Sequence, residues 1–197
     1  KQIDKNRWNV LVCHRRFGKT VCMINHLIRS ALLSKLKNPR FAYIAPTFKQ
    51  AKSIAWDYMK QFTAKIPHTK FNETELRVDL PNGSRITLLG SESPDGLRGI
   101  YLDGCVIDEY ANVNSKLFPE IIRPALSDRK GYCVFIGTPM GMNNNFYELY
   151  QHAQGASDWF NYKAKASETL IVDNDELVKA KEVMGDKKYQ QEFECDW

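Results

Sequence analysis

The stretch Val10 to Thr20, V-L-V-C-H-R-R-F-G-K-T, decides how this chain is read. An apolar run, Trp8 to Val12, leads into a polar turn that closes on Gly18-Lys19-Thr20, and a segment with helical periodicity follows. Strand, loop and helix in that order predict a phosphate-binding P-loop. A loop at a helix N-terminus aims backbone N–H groups at an anion, and the helix dipole favours negative charge there. Gly18 lets the backbone approach phosphate, Lys19 can reach the β- and γ-phosphates of a nucleotide, and Thr20 can place its hydroxyl on Mg²⁺. Cys13 stands where the pattern G-x-x-x-x-G-K-[ST] has its first Gly, and Arg15, Arg16 and Phe17 fill the loop. The bland alternative is a surface Gly-Lys-Thr turn ahead of a helix.

Outward from this stretch, apolar residues at Cys22, Ile24, Leu27, Ile28, Ala31 and Leu32 predict a helix with one buried face, fading near Lys35. Arg40 to Ala45 reads as a short buried strand and Phe48 to Lys65 as a second helix. Strand, helix, strand, helix argues for βαβ units and a mainly parallel sheet flanked by helices. Glu75 to Leu80 and Arg85 to Leu89, joined by Pro81-Asn82-Gly83, read as an inserted β-hairpin. Ser115 to Leu126 reads as a helix interrupted near Pro119 and Pro124. Gly131 to Ile136 and Trp159 to Ala164 read as strands, and Asn145 to Gln154 and Asp173 to Val183 as helices.

Cys105-Val106-Ile107 reads as a buried strand ending in Asp108-Glu109. Ligands of open parallel sheets bind outside the carboxyl ends of strands, the edge that also carries the P-loop. There Asp108 is placed to hold Mg²⁺, directly or through water, and Glu109 to orient and deprotonate an attacking water. An acidic helix cap after a strand is the alternative. A further strand ends in Gly137-Thr138-Pro139, where the Thr138 hydroxyl can sense the γ-phosphate or its water, unless the motif is merely a turn.

The 197 residues suit one domain of ordinary globular composition, 43% hydrophobic and 26% charged. No apolar run is long enough for a bilayer helix, and no signal-peptide pattern opens the chain. Its first residue is Lys1, which reads as a fragment or a trimmed chain. The five cysteines form no C-x-x-C pair and read as buried free thiols in a reducing compartment. The four histidines lack metal-ligand spacing and read as ordinary residues. Residues 1–40 hold ten basic residues against one acid, a net of +9, while the rest holds 18 against 22, a net of −4. That asymmetry favours a polyanion near the N-terminal part, and a solvated basic face equally satisfies it.

Five motifs together resemble the large terminase subunit of tailed bacteriophages, the motor that packs viral DNA into a procapsid. They are R-R-F-G-K-T at Arg15 to Thr20, I-A-P-T at Ile44 to Thr47, L-R-G at Leu97 to Gly99, C-V-I-D-E at Cys105 to Glu109, and G-T-P-M-G-M-N-N-N-F-Y at Gly137 to Tyr147. The resemblance extends through nearly the whole chain. It implies a RecA-like P-loop ATPase with an added catalytic Glu. In that scheme Lys19 neutralises phosphates, Thr20 and Asp108 hold Mg²⁺, Glu109 is the base, and Gly137-Thr138-Pro139 couples hydrolysis to DNA movement. Family loops often lack the first Gly and carry Arg, as Cys13, Arg15 and Arg16 do here. Gln2 is the one candidate for the adenine-contacting Gln. Arg98 is the first choice for an arginine finger acting on a neighbouring subunit, with Arg15 and Arg16 as alternatives and a structural ion pair as the bland reading.

The resemblance also implies double-stranded DNA, a portal protein and a small terminase subunit as partners, with no membrane. It implies a homo-oligomeric ring on the portal, a monomer in isolation, and work in the host cytoplasm with transient docking on the procapsid. After Gly155 no strand ends in the carboxylate cluster that a two-metal nuclease needs. Residues 1–197 are therefore expected to be one ATPase motor domain without the C-terminal nuclease domain. A helicase or translocase ATPase of another group is the nearest alternative, since I-A-P-T occurs in helicases too. A non-catalytic P-loop DNA-binding module is the alternative from another class.

Overall fold

A computed structural model describes residues 2–197 and places eight strands and eight α-helical segments among them. The strands are β1 Trp8–Cys13, β2 Arg40–Ala45, β3 Lys70–Asn72, β4 Arg77–Asp79, β5 Arg85–Gly90, β6 Gly104–Ile107, β7 Tyr132–Gly137 and β8 Trp159–Ala164. The helices are α1 Lys19–Leu33, α2 Phe48–Ala51, α3 Asp57–Thr63, α4 Arg123–Ala125, α5 Asn145–Gly155, α6 Ala166–Thr169, α7 Asn174–Met184 and α8 Asp186–Phe193. This is an α/β fold with an eight-stranded, mostly parallel sheet of order β3-β4-β5-β2-β6-β7-β1-β8. The chain divides into two compact units. Among the described residues, one holds 2–19, 109–111 and 134–197; the other holds 20–108 and 112–133. The chain passes between the units at Lys19–Thr20, Asp108–Glu109, Ala111–Asn112 and Cys133–Val134.

In the first unit β1 and β8 pair in parallel, with Trp8 opposite Trp159 and Cys13 opposite Ala164. All six residues of β1 are buried, because both faces of a parallel strand are covered. Phe135 stacks on Trp159, which stacks on Trp8. Asn144 caps α5, its side chain accepting the N–H groups of Phe146 and Tyr147. Asp173 does the same for α7 through the Asp175 N–H.

In the second unit β2 pairs in parallel with both β5 and β6. Met23, Ile24, Leu27, Ile28 and Ala31 form the buried face of α1, each large aliphatic worth roughly 1.5–3 kcal/mol on full burial. Buried Trp56, Met59, Leu76 and Ile86 extend this core.

Several sequence expectations are corrected. The helix expected over Phe48 to Lys65 ends at Thr63 and is split by a π-helical turn, Lys52–Trp56. The wider turn brings neighbours Ala55 and Trp56 into the core, and Trp56 Nε1 reaches Glu73 at 2.7 Å. A π-helical turn, Leu117–Ile122, likewise stands where an α-helix was expected, and Pro119 inside it has no N–H to give. The first helix ends at Leu33 rather than near Lys35. The expected hairpin is present as β4 and β5, turning at Gly83 with φ 83°. It is also part of a larger unit: β3 adds an antiparallel strand outside it, and β5 is a full member of the main sheet. Of the five thiols, Cys22 is exposed rather than buried.

Candidate functional site

The first unit contains the P-loop. Strand β1 ends at Cys13, α1 begins at Lys19, and the turn between them is closed by the Phe17 N–H donating to the His14 carbonyl at 3.3 Å. Arg16 (φ 67°) and Gly18 (φ 86°) are both left-handed. A Cβ on Gly18 would meet nothing within 4 Å, so glycine is needed there for its backbone angle rather than for space. Lys19 folds back over the loop, its ammonium donating to the Cys13 and His14 carbonyls, both at 3.1 Å. Arg15 and Arg16 are exposed and Phe17 is half-buried. The Arg15 N–H donates to the Glu192 carbonyl at 2.8 Å, and its guanidinium lies 3.8 Å from the Glu192 carboxylate.

His14 is fully buried beneath this loop. Its Nδ1 lies 2.6 Å from the Arg15 carbonyl, which can only accept, so Nδ1 carries the proton. Its Nε2 lies 2.8 Å from the Thr169 hydroxyl. Burial pushes its pKa below the ordinary 6.5, and the nearby Lys19 charge acts the same way against the Arg15 carbonyl and Glu194. Above pH 6.5 the ring is neutral, and with the proton on Nδ1 its Nε2 accepts from Thr169. Sequence reasoning passed over this residue.

Glu109 also belongs to the first unit. It is half-buried and left-handed, with φ 47°, a conformation uncommon for a carboxylate-bearing residue at a strand end. Gly137 packs against its backbone: a Cβ there would sit 3.6 Å from Glu109 Cα, 3.5 Å from Tyr110 N and 3.1 Å from the Phe146 ring. Thr138 follows, half-buried. Gln2 is exposed, and its carbonyl accepts the Lys5 N–H and the Asn6 amide at the first 3₁₀ turn.

The second unit contains the Thr20 and Asp108 pair. The Thr20 hydroxyl donates to Asp108 Oδ2 at 3.2 Å. Tyr43, fully buried on β2, donates its hydroxyl to the same oxygen. The Asp108 N–H donates to the Ile44 carbonyl at 2.8 Å, which continues the parallel ladder past β6. A carboxylate that is 3% exposed requires such partners. A hydroxyl and a carboxylate within 3.2 Å form a hard oxygen donor set of the kind Mg²⁺ takes. Tyr43 was not singled out from the sequence, where it is one of several large residues in a buried strand. Arg98 ends the 3₁₀ turn Pro94–Leu97; its Nε donates to Asp95 at 2.8 Å and Nη2 lies 3.8 Å from Glu120, with the side chain more than half exposed.

The chain is similar to known proteins in sequence and in fold. The terminase large subunits of Thermus phage G20c and Thermus virus P23-45 are each 30% identical to this chain over 54% of its length and 26% of theirs. The chain thus spans about a quarter of the length of these curated relatives. The large terminase ATPase domain of Thermus phage P74-26 superposes with a TM-score of 0.81 at 22% identity, over 97% of this chain and 88% of that one. The large terminase of another thermophilic bacteriophage, solved in complex with ADP, gives a TM-score of 0.84 at 16% identity, over 99% and 49%. These structural likenesses establish the RecA-like fold expected from the motifs. The family model for the N-terminal part of T4likevirus-type terminase large subunits matches residues 12–194, and the chain belongs to that family.

Proposed function

We propose that this chain is the ATPase part of a viral DNA-packaging motor, hydrolysing ATP with Mg²⁺ to move double-stranded DNA into a procapsid. The observation that carries this reading is the Thr20–Asp108 hydrogen bond, which joins the first turn of the P-loop helix to the end of an acidic strand. Thr20 and Asp108 would hold Mg²⁺, and the ion would neutralise phosphate charge. Lys19 exchanges its two carbonyl partners for phosphate oxygens, a charge-assisted gain over neutral acceptors. The left-handed backbone at Arg16 and Gly18 turns the loop so that N–H groups can cradle an anion. Glu109 accepts the proton of the attacking water, and its backbone seat beside Gly137 links that base to Thr138.

Within this reading Arg98 serves a neighbouring subunit's ATP in a ring, releasing its exposed pairs with Asp95 and Glu120 to do so. Gln2 contacts adenine. Residues 1–197 act as a single motor domain without nuclease activity, and the portal protein and small terminase subunit are its partners in the host cytoplasm. Family membership and the basic N-terminal part support these assignments.

The test is phosphate release from ATP, with and without duplex DNA, for wild type, Glu109→Gln and Arg98→Ala, over a range of protein concentrations. Turnover that Glu109→Gln abolishes while ATP still binds supports the enzyme. Turnover that rises with concentration in wild type and not in Arg98→Ala supports the finger. A folded wild-type protein that binds DNA and releases no phosphate at any concentration favours the non-catalytic module. Plasmid cleavage by the chain with Mg²⁺ or Mn²⁺ overturns the nuclease-free assignment.

A further inference from the structure

The P-loop is held from outside its own turn. Residues at its base make contacts to a segment some 150–180 positions later. The His14 N–H donates to the Ala164 carbonyl at 3.0 Å, the His14 imidazole meets Thr169, and the Arg15 N–H donates to the Glu192 carbonyl. The Arg15 side chain also pairs with Glu192, which Lys188 holds in turn at 2.8 Å.

We infer that His14 is a positioning residue for nucleotide binding, and that the Thr169 hydroxyl holds it in place at Nε2 while Nδ1–H grips the Arg15 carbonyl. The inference rests on the proposed ATP-binding role of the loop. An anion cradle works only if carbonyl oxygens are turned away from the phosphates. Here the carbonyls of Cys13, His14 and Arg15 all have donors: the Lys19 ammonium takes the first two and His14 the third. Lys19 must leave its carbonyls to meet phosphate. The imidazole does not have to leave, because it is buried beneath the loop. It is the partner that keeps the loop in shape through the exchange.

The tautomer is decided by the Arg15 carbonyl, which can only accept and so keeps the proton on Nδ1. Nε2 is then the acceptor, and the Thr169 hydroxyl, which also lies 3.5 Å from the Ala166 carbonyl, supplies its donor. Without that hydroxyl the buried Nε2 is left unsatisfied, and the ring's hold on the Arg15 carbonyl is loosened. Thr169 is the last residue of α6, and Leu170 after it is left-handed (φ 54°), which ends the helix there. Phe17 closes the other side of the ring, edge-on at 5.4 Å. The charged groups around the imidazole are Lys19, Arg15 with its partner Glu192, and Glu194. A protonated ring would add a cation beside Lys19.

The experiment compares wild type, Thr169→Ser, Thr169→Val and His14→Gln in the full chain. Dissociation constants for a fluorescent ATP analogue, KM and kcat are measured from pH 5.5 to 8, and ¹⁵N NMR reads the His14 tautomer. Thr169→Val is expected to weaken nucleotide binding and raise KM about tenfold, as loss of one buried hydrogen-bond partner does. Its kcat changes far less, and Thr169→Ser restores both constants. Affinity in wild type is expected to fall at the acid end of this range, as the ring takes a proton below its ordinary pKa, and that fall is expected to disappear in His14→Gln. A folded Thr169→Val protein with wild-type affinity and KM overturns the inference, as does a wild-type ring protonated on Nε2, whatever His14→Gln does. Wild-type binding without phosphate release would instead sink the ATPase reading, while the affinity and NMR arms still decide the role of His14.

Discussion

Thr20 and Asp108, 88 residues apart in sequence, are joined by a 3.2 Å hydrogen bond from hydroxyl to carboxylate. The pair is the meeting of a helix start and a strand end that the motifs alone only implied. A buried carboxylate with two hydroxyl donors on one oxygen is costly to disturb, and its ionised form is what a hard cation needs. Asp108→Asn keeps the size and removes the charge. Turnover is expected to fall about 10²–10³-fold, the scale of losing one electrostatic stabiliser, with a higher Mg²⁺ requirement. Phosphate release across a Mg²⁺ titration checks this, and an unchanged midpoint would count against metal binding at Asp108.

Tyr43→Phe removes the second donor and leaves the ring in place. Loss of a partner for a buried charged group is expected to cost about 1–3 kcal/mol. Urea unfolding should show a lower midpoint with an unchanged slope. A midpoint equal to wild type would mean that Asp108 draws its stability from other contacts.

Lys19→Ala and Glu109→Gln should separate binding from chemistry. The first removes the cation that meets phosphate, so nucleotide affinity falls. The second retains affinity and lowers kcat by about 10²–10⁴-fold, the range for a general base. Equal effects of both on affinity would remove Glu109 from the chemical step.

Stability should depend on pH through His14. Its folded pKa lies below the unfolded value near 6.5, so the unfolded chain binds the proton first. The contribution is fully present above 6.5 and is lost as pH falls through the folded pKa. Chemical denaturation at about pH 7.5 and at stepwise lower values should show this slope in wild type and a smaller one in His14→Gln.

Thiol reactivity should follow burial. Cys22 is exposed, and Cys13, Cys105, Cys133 and Cys195 are buried. Burial pushes the Cys195 thiol up to about 12, and Cys133 is raised by burial and by its hydrogen bond with Cys105. Iodoacetamide at about pH 8 should label Cys22 alone in the native protein and all five in denaturant. Rapid native labelling of Cys195 would contradict the buried placement.

Local pattern carried far in this chain. The buried strands at Trp8, Arg40, Gly104 and Tyr132 announce themselves as short apolar runs, and Gly18 and Gly83 mark turns by their own chemistry. Gly-Lys-Thr and Asp-Glu are legible for the same reason: each residue's role is set by neighbours one or two places away. What the pattern missed depends on distance. The π-helical turns at Lys52–Trp56 and Leu117–Ile122 exist because particular side chains must reach the core, which periodicity within a segment does not encode. Strand β3, with exposed Lys70 and Phe71, has too little apolar character to be seen.

From its sequence alone, this protein is determined to be a P-loop α/β protein with a Lys, a Thr and two acids at the places such chemistry needs. Those features arise from hydrophobic periodicity and turn stereochemistry, which act over a few residues. Only the tertiary structure decided that Tyr43 and Thr20 share one oxygen of Asp108 and that His14 meets Thr169 across 155 positions. A hydrogen bond acts over about 3 Å and is indifferent to separation along the chain. Partners of that kind are chosen by the packing of strands and helices, and no local reading of His14 or Tyr43 contains them.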